Sequence, residues 1–224
     1  MQSLVIFGGP GSGALVADSV SAMRADGRGV RVVGFLNDAL PRGSLVHGVP
    51  VLGAFASWRE LPEETRFIAP LHKVKLMQAR ASIVRRLGIP EHRWATVIDP
   101  RSAVASDAVI AHACFVGPFA SVGPGARLGS HTVVRAGAHV SHDCRIGDFV
   151  FIGTNAVICG SSAVDHGAYV APGSTVRDSC RIGKFATVGL GSVVVKEVPA
   201  FGVVAGTPAR QFEGAPEGQG AQDM

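Results

Sequence analysis

The sequence is poor in charged and aromatic residues. Asp, Glu, Lys and Arg together make up 17% of the 224 residues, aromatic residues make up 6%, and there is a single Tyr. This low charge content excludes a coiled coil and a charge-rich disordered chain. No run approaches the roughly 20 apolar residues that a membrane-spanning helix requires, so we expect no membrane partner.

Cysteine is also scarce, and basic residues are not clustered. The four Cys residues have irregular spacing, which fits neither a CxxC motif nor a disulfide framework. The first residues lack the basic and apolar segments of a signal peptide, and we therefore expect a cytoplasmic protein. The net charge of +4 comes from scattered Lys and Arg residues, so small anionic molecules are expected as partners rather than nucleic acid.

A six-residue repeat dominates the second half of the chain. From Ile98 to Val194, seventeen positions spaced by six residues are all Val, Ile or Leu, and the residue four places after each is small or β-branched. A period of six is neither the 3.6 of a helix nor the 2.0 of a simple strand. It predicts stacked short strands and turns that bury one aliphatic column, which is a parallel β-helix. Three of the four cysteines, Cys114, Cys144 and Cys180, fall at the small interior positions.

Three hexapeptides per coil would place residues 18 apart directly above one another, about 4.8 Å apart. His142 then points outward at a turn, with Gly160 above it and Asp143 beside it. We expect the missing side chain at Gly160 to leave a groove beside the imidazole. The alternative is an ordinary exposed turn histidine. The histidines of the repeat do not have metal-ligand spacing, so no metal is expected.

The first half alternates between strand and helix patterns. Strands are predicted at Leu4–Phe7, Val30–Leu36 and Arg66–Ala69, and helices at Ala14–Ala25 and Lys73–Leu87. The second helix is expected to bury the stripe Leu76, Ala79, Ile83 and Leu87. This alternation predicts a small parallel sheet in residues 1–95, followed by the β-helix in residues 96–212 and a flexible tail in residues 213–224.

A glycine-rich loop, Gly8–Gly13, joins the first strand to the first helix. Gly9, Gly11 and Ala14 fit the dinucleotide-binding spacing, and Asp38 follows the second strand. In so glycine-rich a chain the match is weak. A tight turn without a ligand, a loop near a nucleotide or its phosphates, and a redox dinucleotide site all remain open.

The hexapeptides and the segment Val203–Arg210 resemble the hexapeptide-repeat acyltransferases, which form left-handed parallel β-helices. The glycine-rich loop, the FLND segment Phe35–Asp38 and the SHDCRIGDF segment Ser141–Phe149 are similar to a narrower group. This group comprises the sialic acid O-acetyltransferases and nucleotide-sugar N-acetyltransferases. The resemblance implies a Rossmann-like α/β half domain followed by an all-β left-handed parallel β-helix.

The resemblance also implies an activity. It is the acetyl-CoA-dependent N-acetylation of the 4-amino group of a nucleotide-linked sugar, either a UDP-4-amino-4,6-dideoxy sugar or GDP-perosamine. The N-terminal unit would bind the nucleotide sugar, and acetyl-CoA would lie at a subunit boundary of a homotrimer. The alternatives are a sugar O-acetyltransferase, a β-helix scaffold without catalysis and, more distantly, an NAD-dependent enzyme.

Site residues follow from the same resemblance. His142 matches the proposed base and Asp143 its acidic neighbour. Contacts to CoA are implied for Gly160, Pro172 and Leu190, and contacts to the nucleotide sugar for Gly8, Gly11, Ser12, Gly13, Asn37 and Asp38. The basic side chains Lys184, Lys196 and Arg210 would meet the CoA phosphates or simply be solvated.

Two positions depart from the pattern of the group. Ser12 stands where close relatives often have His, and Phe151 stands where several have a second His. His142 is therefore the only candidate base that the resemblance supplies.

Overall fold

The computed structural model describes residues 1–212; the predicted tail at 213–224 lies outside the described residues. The chain begins with a five-stranded sheet in the order β3-β4-β2-β1-β5, in which only the β3–β4 pair is antiparallel. Its elements are β1 (Gln2–Phe7), α1 (Ser12–Ala25), β2 (Val30–Leu36), β3 (Leu45–Val46), β4 (Val49–Gly53), β5 (Arg66–Ile68) and α2 (Met77–Leu87), with 3-10 turns at Phe55–Glu60 and Glu91–Arg93.

This unit confirms the predicted parallel α/β arrangement, because β1, β2 and β5 lie close to their expected positions. Two features differ. The hairpin of β3 and β4 was not predicted. The stripe predicted for the second helix was wrong: Lys75 has a left-handed φ of 65°, so α2 begins only at Met77.

The buried face of α2 consequently differs from the predicted one. Leu76 is 47% exposed and Ala79 is also exposed. Only Leu87 belongs to both the predicted and the observed sets; the buried residues are Met77, Arg80, Ala81, Val84 and Leu87. A helical stripe that includes an arginine cannot be found by searching for apolar residues alone.

The repeat forms the predicted parallel β-helix. From Val97 to Val194 each strand pairs with the strand 18 residues away, and at the C-terminal end the spacing shortens to 16 where Thr187 pairs with Val203. Sheet 1 comprises Val97–Ile98, Phe115–Val116, Val133–Val134, Phe151–Ile152, Tyr169–Val170, Thr187–Val188, Val203–Gly206 and the antiparallel Ala209–Gln211. Sheet 2 comprises Ala103–Val104, Ser121–Val122, His139–Val140, Val157–Ile158, Thr175–Val176 and Val193–Val194. Sheet 3 comprises Val109–Ile110, Arg127–Leu128, Arg145–Ile146, Ala163–Val164 and Arg181–Ile182.

The interior of the β-helix is the predicted aliphatic column. From Val116 onward these positions are buried, together with the small residues that follow them, while Ile98, Val104 and Ile110 pack partly buried at the first coil. Burial of such side chains contributes about 25 cal/mol per Å² of apolar surface. The thiols of Cys114, Cys144 and Cys180 lie inside, as expected, and Cys159 is half-buried.

Each coil turns at three corners. Corner 1 joins sheets 3 and 1 and carries His112, Ser130, Asp148 and His166. Corner 2 joins sheets 1 and 2 and carries Pro118, Ala136, Thr154, Pro172 and Leu190. Corner 3 joins sheets 2 and 3 and carries Pro124, His142, Gly160 and Asp178.

The residue after each of these positions turns the backbone. It has a left-handed φ at His131 (59°), Asp143 (56°) and Phe149 (57°), and glycine occupies the same place at Gly125 and Gly173. Non-glycine residues rarely adopt this conformation. Every coil therefore contains the same tight corners. The residue after each left-handed position enters the interior at that corner, which explains why it is small or β-branched.

The N-terminal unit packs on the outer face of sheet 1. Phe115, Val133, Phe151 and Tyr169 on that face belong to the same apolar cluster as Val16 of α1. Arg80 is 3% exposed, and its guanidinium donates hydrogen bonds to the carbonyl oxygens of His131 and Phe149. The N-terminal unit thereby covers much of sheet 1 and the part of corner 1 at His131 and Phe149, whereas corner 3 is open at His142.

Candidate functional site

His142 and Asp143 form a pair on the surface of corner 3. Nδ1 of His142 lies 2.9 Å from Oδ2 of Asp143, and the two side chains are 58% and 68% exposed. The left-handed backbone at Asp143 turns its carboxylate back toward the imidazole, although adjacent residues of a strand would point apart. With Nδ1–H donating to the carboxylate, Nε2 is left free to accept a proton.

Gly160 lies directly above His142, as the 18-residue coil predicted. A Cβ atom placed on Gly160 would be 2.4 Å from Nε2 and 2.6 Å from Cε1 of His142. We expected the missing side chain at Gly160 to leave an empty groove beside the imidazole, and this expectation was wrong. The imidazole itself occupies the space that a side chain at Gly160 would fill, and the glycine is needed because the ring lies against its Cα.

The predicted cofactor residues divide between two corners. Gly160 is on corner 3, and Lys196 lies at the same corner, between the strand Val193–Val194 and the bridge at Val198. Pro172 and Leu190 lie on corner 2, where Leu190 is 75% exposed. Sheet 2 separates the two groups, so a single chain does not bring Pro172 and Leu190 to His142.

The other basic candidates are dispersed as well. Lys184 is at corner 1, where Nζ lies 5.5 Å from the centre of the Phe185 ring. Arg210 is an exposed residue of the last, antiparallel strand. Neither lies at corner 3 in this chain.

The glycine-rich loop has the geometry of a tight turn between β1 and α1. Gly8 and Gly11 have φ values of 120° and 87°, which other residues rarely adopt. A Cβ at Gly13 would be 2.9 Å from the ring of Phe35, so this glycine lets α1 pack closely on β2. Backbone conformation and packing thus account for these three glycines in the absence of a ligand.

Asn37 and Asp38 shape the neighbouring loop. Asn37 Nδ2 donates to the carbonyl of Gly8, and its Oδ1 accepts from the amides of Ala39 and Leu40. Oδ1 of Asp38 accepts from the amide of Phe55 at 2.7 Å. Asn37 therefore holds the edge of the glycine-rich loop, whereas Asp38 binds the turn at Phe55 and remains exposed.

Ser12 is part of a cluster that the sequence did not indicate. Its Oγ accepts a hydrogen bond from Nη1 of Arg135 at 3.2 Å and lies 3.3 and 3.5 Å from the two ring nitrogens of His72. The His72 ring stacks on Phe151 with centroids 4.0 Å apart, and Phe151 stacks on Tyr169 at 4.6 Å. His72 and Arg135 are 60 and 123 residues from Ser12, so no local motif reveals them.

The cluster also changes the interpretation of Phe151. Some relatives have a second His at this position. Here the position carries the Phe151 ring, and the imidazole of His72 stacks on that ring. Burial, together with the charges of Arg135 and Arg80, lowers the pKa of His72 from 6.5 to about 4, against the opposing hydrogen bond to Pro70. His72 is therefore neutral at pH 7.

Residues 125–160 match the family model described as bacterial transferase hexapeptide (six repeats). No curated protein matches the chain with significant similarity. Among residues 1–212, neither helix is long and apolar enough to cross a membrane.

Several solved structures resemble the whole described chain. The acetyltransferase domain of PglB from Neisseria gonorrhoeae, in complex with acetyl coenzyme A, is 25% identical with a TM-score of 0.81, and the match covers 94% of this chain and 99% of that one. A histidine-to-alanine variant of GDP-perosamine N-acetyltransferase from Caulobacter crescentus, in complex with CoA and GDP-perosamine, is 24% identical with a TM-score of 0.83, covering 94% and 97%. WeeI from Acinetobacter baumannii is 23% identical with a TM-score of 0.77, covering 95% and 100%.

These matches confirm the predicted fold, a small α/β unit followed by a left-handed parallel β-helix. They also confirm the resemblance to hexapeptide-repeat sugar acetyltransferases.

Proposed function

We propose that this chain is an acetyl-CoA-dependent sugar N-acetyltransferase, and that its acceptor is a nucleotide-linked 4-amino-4,6-dideoxy sugar such as GDP-perosamine or a UDP-linked equivalent. The observation that carries the proposal is the exposed His142–Asp143 pair at corner 3, with the imidazole against the backbone of Gly160. Neighbours of the same fold bind acetyl coenzyme A, or CoA with GDP-perosamine.

The proposed reaction is direct acetyl transfer. The neutral amine of the sugar attacks the thioester carbonyl, and Nε2 of His142 takes the proton that the nitrogen loses. The C–S bond then breaks, the proton passes to the departing sulfur, and the products are an acetamido sugar and CoA. General-base catalysis of this kind contributes about 10²–10⁴-fold.

Asp143 supports the base in this scheme. Its carboxylate accepts the Nδ1–H hydrogen bond at 2.9 Å, which holds the ring in the tautomer with a bare Nε2 and stabilises the imidazolium as it forms. The backbone N–H of Gly160 makes no hydrogen bond to another group in residues 1–212. In the proposed reaction this N–H donates to the thioester oxygen as negative charge develops there.

A complete site requires two subunits. The glycine-rich loop approaches sheet 1 at Arg135, next to corner 2, whereas His142 is on corner 3 beyond sheet 2. A homotrimer in which corner 3 of one subunit faces corner 2 of the next would bring His142 to Pro172, Leu190 and the nucleotide-sugar loop of its neighbour. Rings of this kind arise from heterologous contacts that close.

The test is an acceptor comparison with acetyl-CoA and detection of released CoA thiol. GDP-perosamine and a UDP-4-amino-4,6-dideoxy sugar would be compared with their 4-hydroxy counterparts. We expect turnover with an amino sugar only. Turnover confined to the hydroxyl sugars would make the protein an O-acetyltransferase, and failure to bind acetyl-CoA would favour the scaffold.

A further inference from the structure

Arg135, Ser12 and His72 meet where the N-terminal unit packs against sheet 1. Arg135 extends from the end of the strand Val133–Val134, Ser12 is the first residue of α1, and His72 lies in the segment before α2. One hydrogen bond, from Nη1 to the Ser12 hydroxyl at 3.2 Å, joins the guanidinium to the N-terminal unit. Three distant parts of the chain thus converge on one cluster.

The guanidinium of Arg135 has no counter-charge in the part of the chain that the structure describes. The side chain is half-buried, and within residues 1–212 no carboxylate lies within salt-bridge distance of it. Partial burial lowers the pKa of Arg135 from its usual value, and only Tyr169 opposes this effect. Removing a charge from water is unfavourable unless an opposite charge compensates, so the position favours an anion from outside the chain.

The neighbouring imidazole of His72 does not bind such an anion in place of Arg135, and because it is neutral it does not repel the anion. Nδ1 of His72 has the Pro70 carbonyl as acceptor at 3.1 Å, which leaves Nε2 to accept from the Ser12 hydroxyl. Ser12 can then accept from Arg135 and donate to His72. This chain of contacts, supported by the stack of His72 on Phe151, fixes the direction of the guanidinium.

We infer that the Arg135–Ser12–His72 cluster binds a phosphate of the nucleoside diphosphate carried by the acceptor, with Arg135 supplying the charge and His72 positioning it. Ser12 belongs to the glycine-rich loop, so a phosphate at Arg135 would also lie beside that loop. A guanidinium suits phosphate because its parallel N–H groups donate to two oxygens at once. This inference rests on the proposed function, since it names how the acceptor is held.

The principal test is Arg135→Met, which keeps the aliphatic stem and removes the charge. We expect the KM for the nucleotide sugar to rise about 10- to 100-fold, because charge-assisted hydrogen bonds are lost, while the KM for acetyl-CoA stays unchanged. Arg31→Met, at an exposed arginine of β2, is the matched control and should change neither value. A rise in both KM values, or in neither, would overturn the inference.

Calorimetry with GDP and UDP separates this inference from the proposed function. Binding of either nucleotide by the wild type and its loss in Arg135→Met would support the phosphate site even if no sugar is acetylated. Equal binding by the two proteins, or no binding of either nucleotide by the wild type, would refute it. Guanosine and uridine lack phosphates, and their affinity should not depend on residue 135.

Arg135→Lys serves as a second variant in case the methionine variant fails to fold. It keeps the charge without the paired N–H groups, so we expect a smaller but measurable loss of GDP and UDP affinity. His72→Phe tests the positioning role, because the ring can still stack on Phe151 but cannot accept from Ser12. It should weaken nucleotide binding with no effect on acetyl-CoA; an unchanged affinity would remove His72 from the cluster's function.

Discussion

The imidazole of His142 lies against the backbone of Gly160 one coil above it, and a methyl group at residue 160 would be 2.4 Å from Nε2. The glycine is therefore part of the geometry of the proposed base. Because the histidine side chain is 58% exposed, it can swing into solvent when it is displaced, so the contact concerns catalysis rather than folding.

Gly160→Ala should lower activity without unfolding the protein. The added methyl group pushes the ring from its position, and a displacement of about 1 Å can cost about 10²-fold in rate. The measurement is kcat with the amino-sugar acceptor, alongside the melting temperature. Gly29→Ala is the matched control, since a Cβ there meets nothing within 4 Å. Full activity in Gly160→Ala would show that the ring position is unimportant.

His142→Asn should lower kcat by about 10²–10⁴-fold, the usual contribution of a general base, with little effect on either KM. His92→Asn, which changes an exposed histidine paired with Glu63, is the control. A variant that turns over at the wild-type rate would exclude His142 as the base.

Asp143→Asn should have a smaller effect than the change at His142. Asn tolerates the left-handed φ of 56°, so the backbone of the corner is kept while the charge is lost. Since interactions between exposed ions contribute only about 0.2–1 kcal/mol, we expect kcat to fall by no more than about 5-fold. A fall as large as that of His142→Asn would instead indicate that Asp143 itself takes part in proton transfer.

Mixing two inactive variants should restore activity if the sites are shared. His142→Ala chains and Leu190→Glu chains would be refolded together at equal concentrations. With His142 and Leu190 supplied by neighbouring subunits, about a quarter of the sites in a randomly mixed ring are intact. Each variant refolded alone is the control. No recovery in the mixture would place both residues in one subunit's site.

Acid should destabilise the protein through two histidines, His131, which is buried, and His72, which is half-buried. Burial lowers the pKa of His72 to about 4 and that of His131 to about 3, from 6.5. Between pH 6.5 and these values the unfolded chain binds protons that the folded chain does not, so stability falls as the pH falls through this window.

Melting temperatures measured from pH 7 to pH 4 check this expectation. His72→Phe should reduce the slope of the melting temperature against pH, and His47→Gln, at an exposed loop residue, should not. A wild-type melting temperature independent of pH in this range would contradict the assignment of neutral buried histidines.

The hexapeptide period by itself determined the β-helix, the interior residues and the stacking of Gly160 on His142. The reason is that every coil repeats the same short-range geometry, so the position of a residue modulo 18 fixes its place in space. The strands β1, β2 and β5 lie outside the repeat. They could be predicted because each falls in a short apolar run of the sequence.

Only the tertiary structure decided what happens between distant segments. It brought Asp143 back to His142 through a left-handed corner and showed that the imidazole fills the space that a side chain at Gly160 would occupy. It placed Pro172 and Leu190 at a different corner from His142, and it joined Ser12 to His72 and Arg135. These relationships depend on corner dihedrals and on the docking of the N-terminal unit against sheet 1, and neither leaves a periodic signal in the sequence.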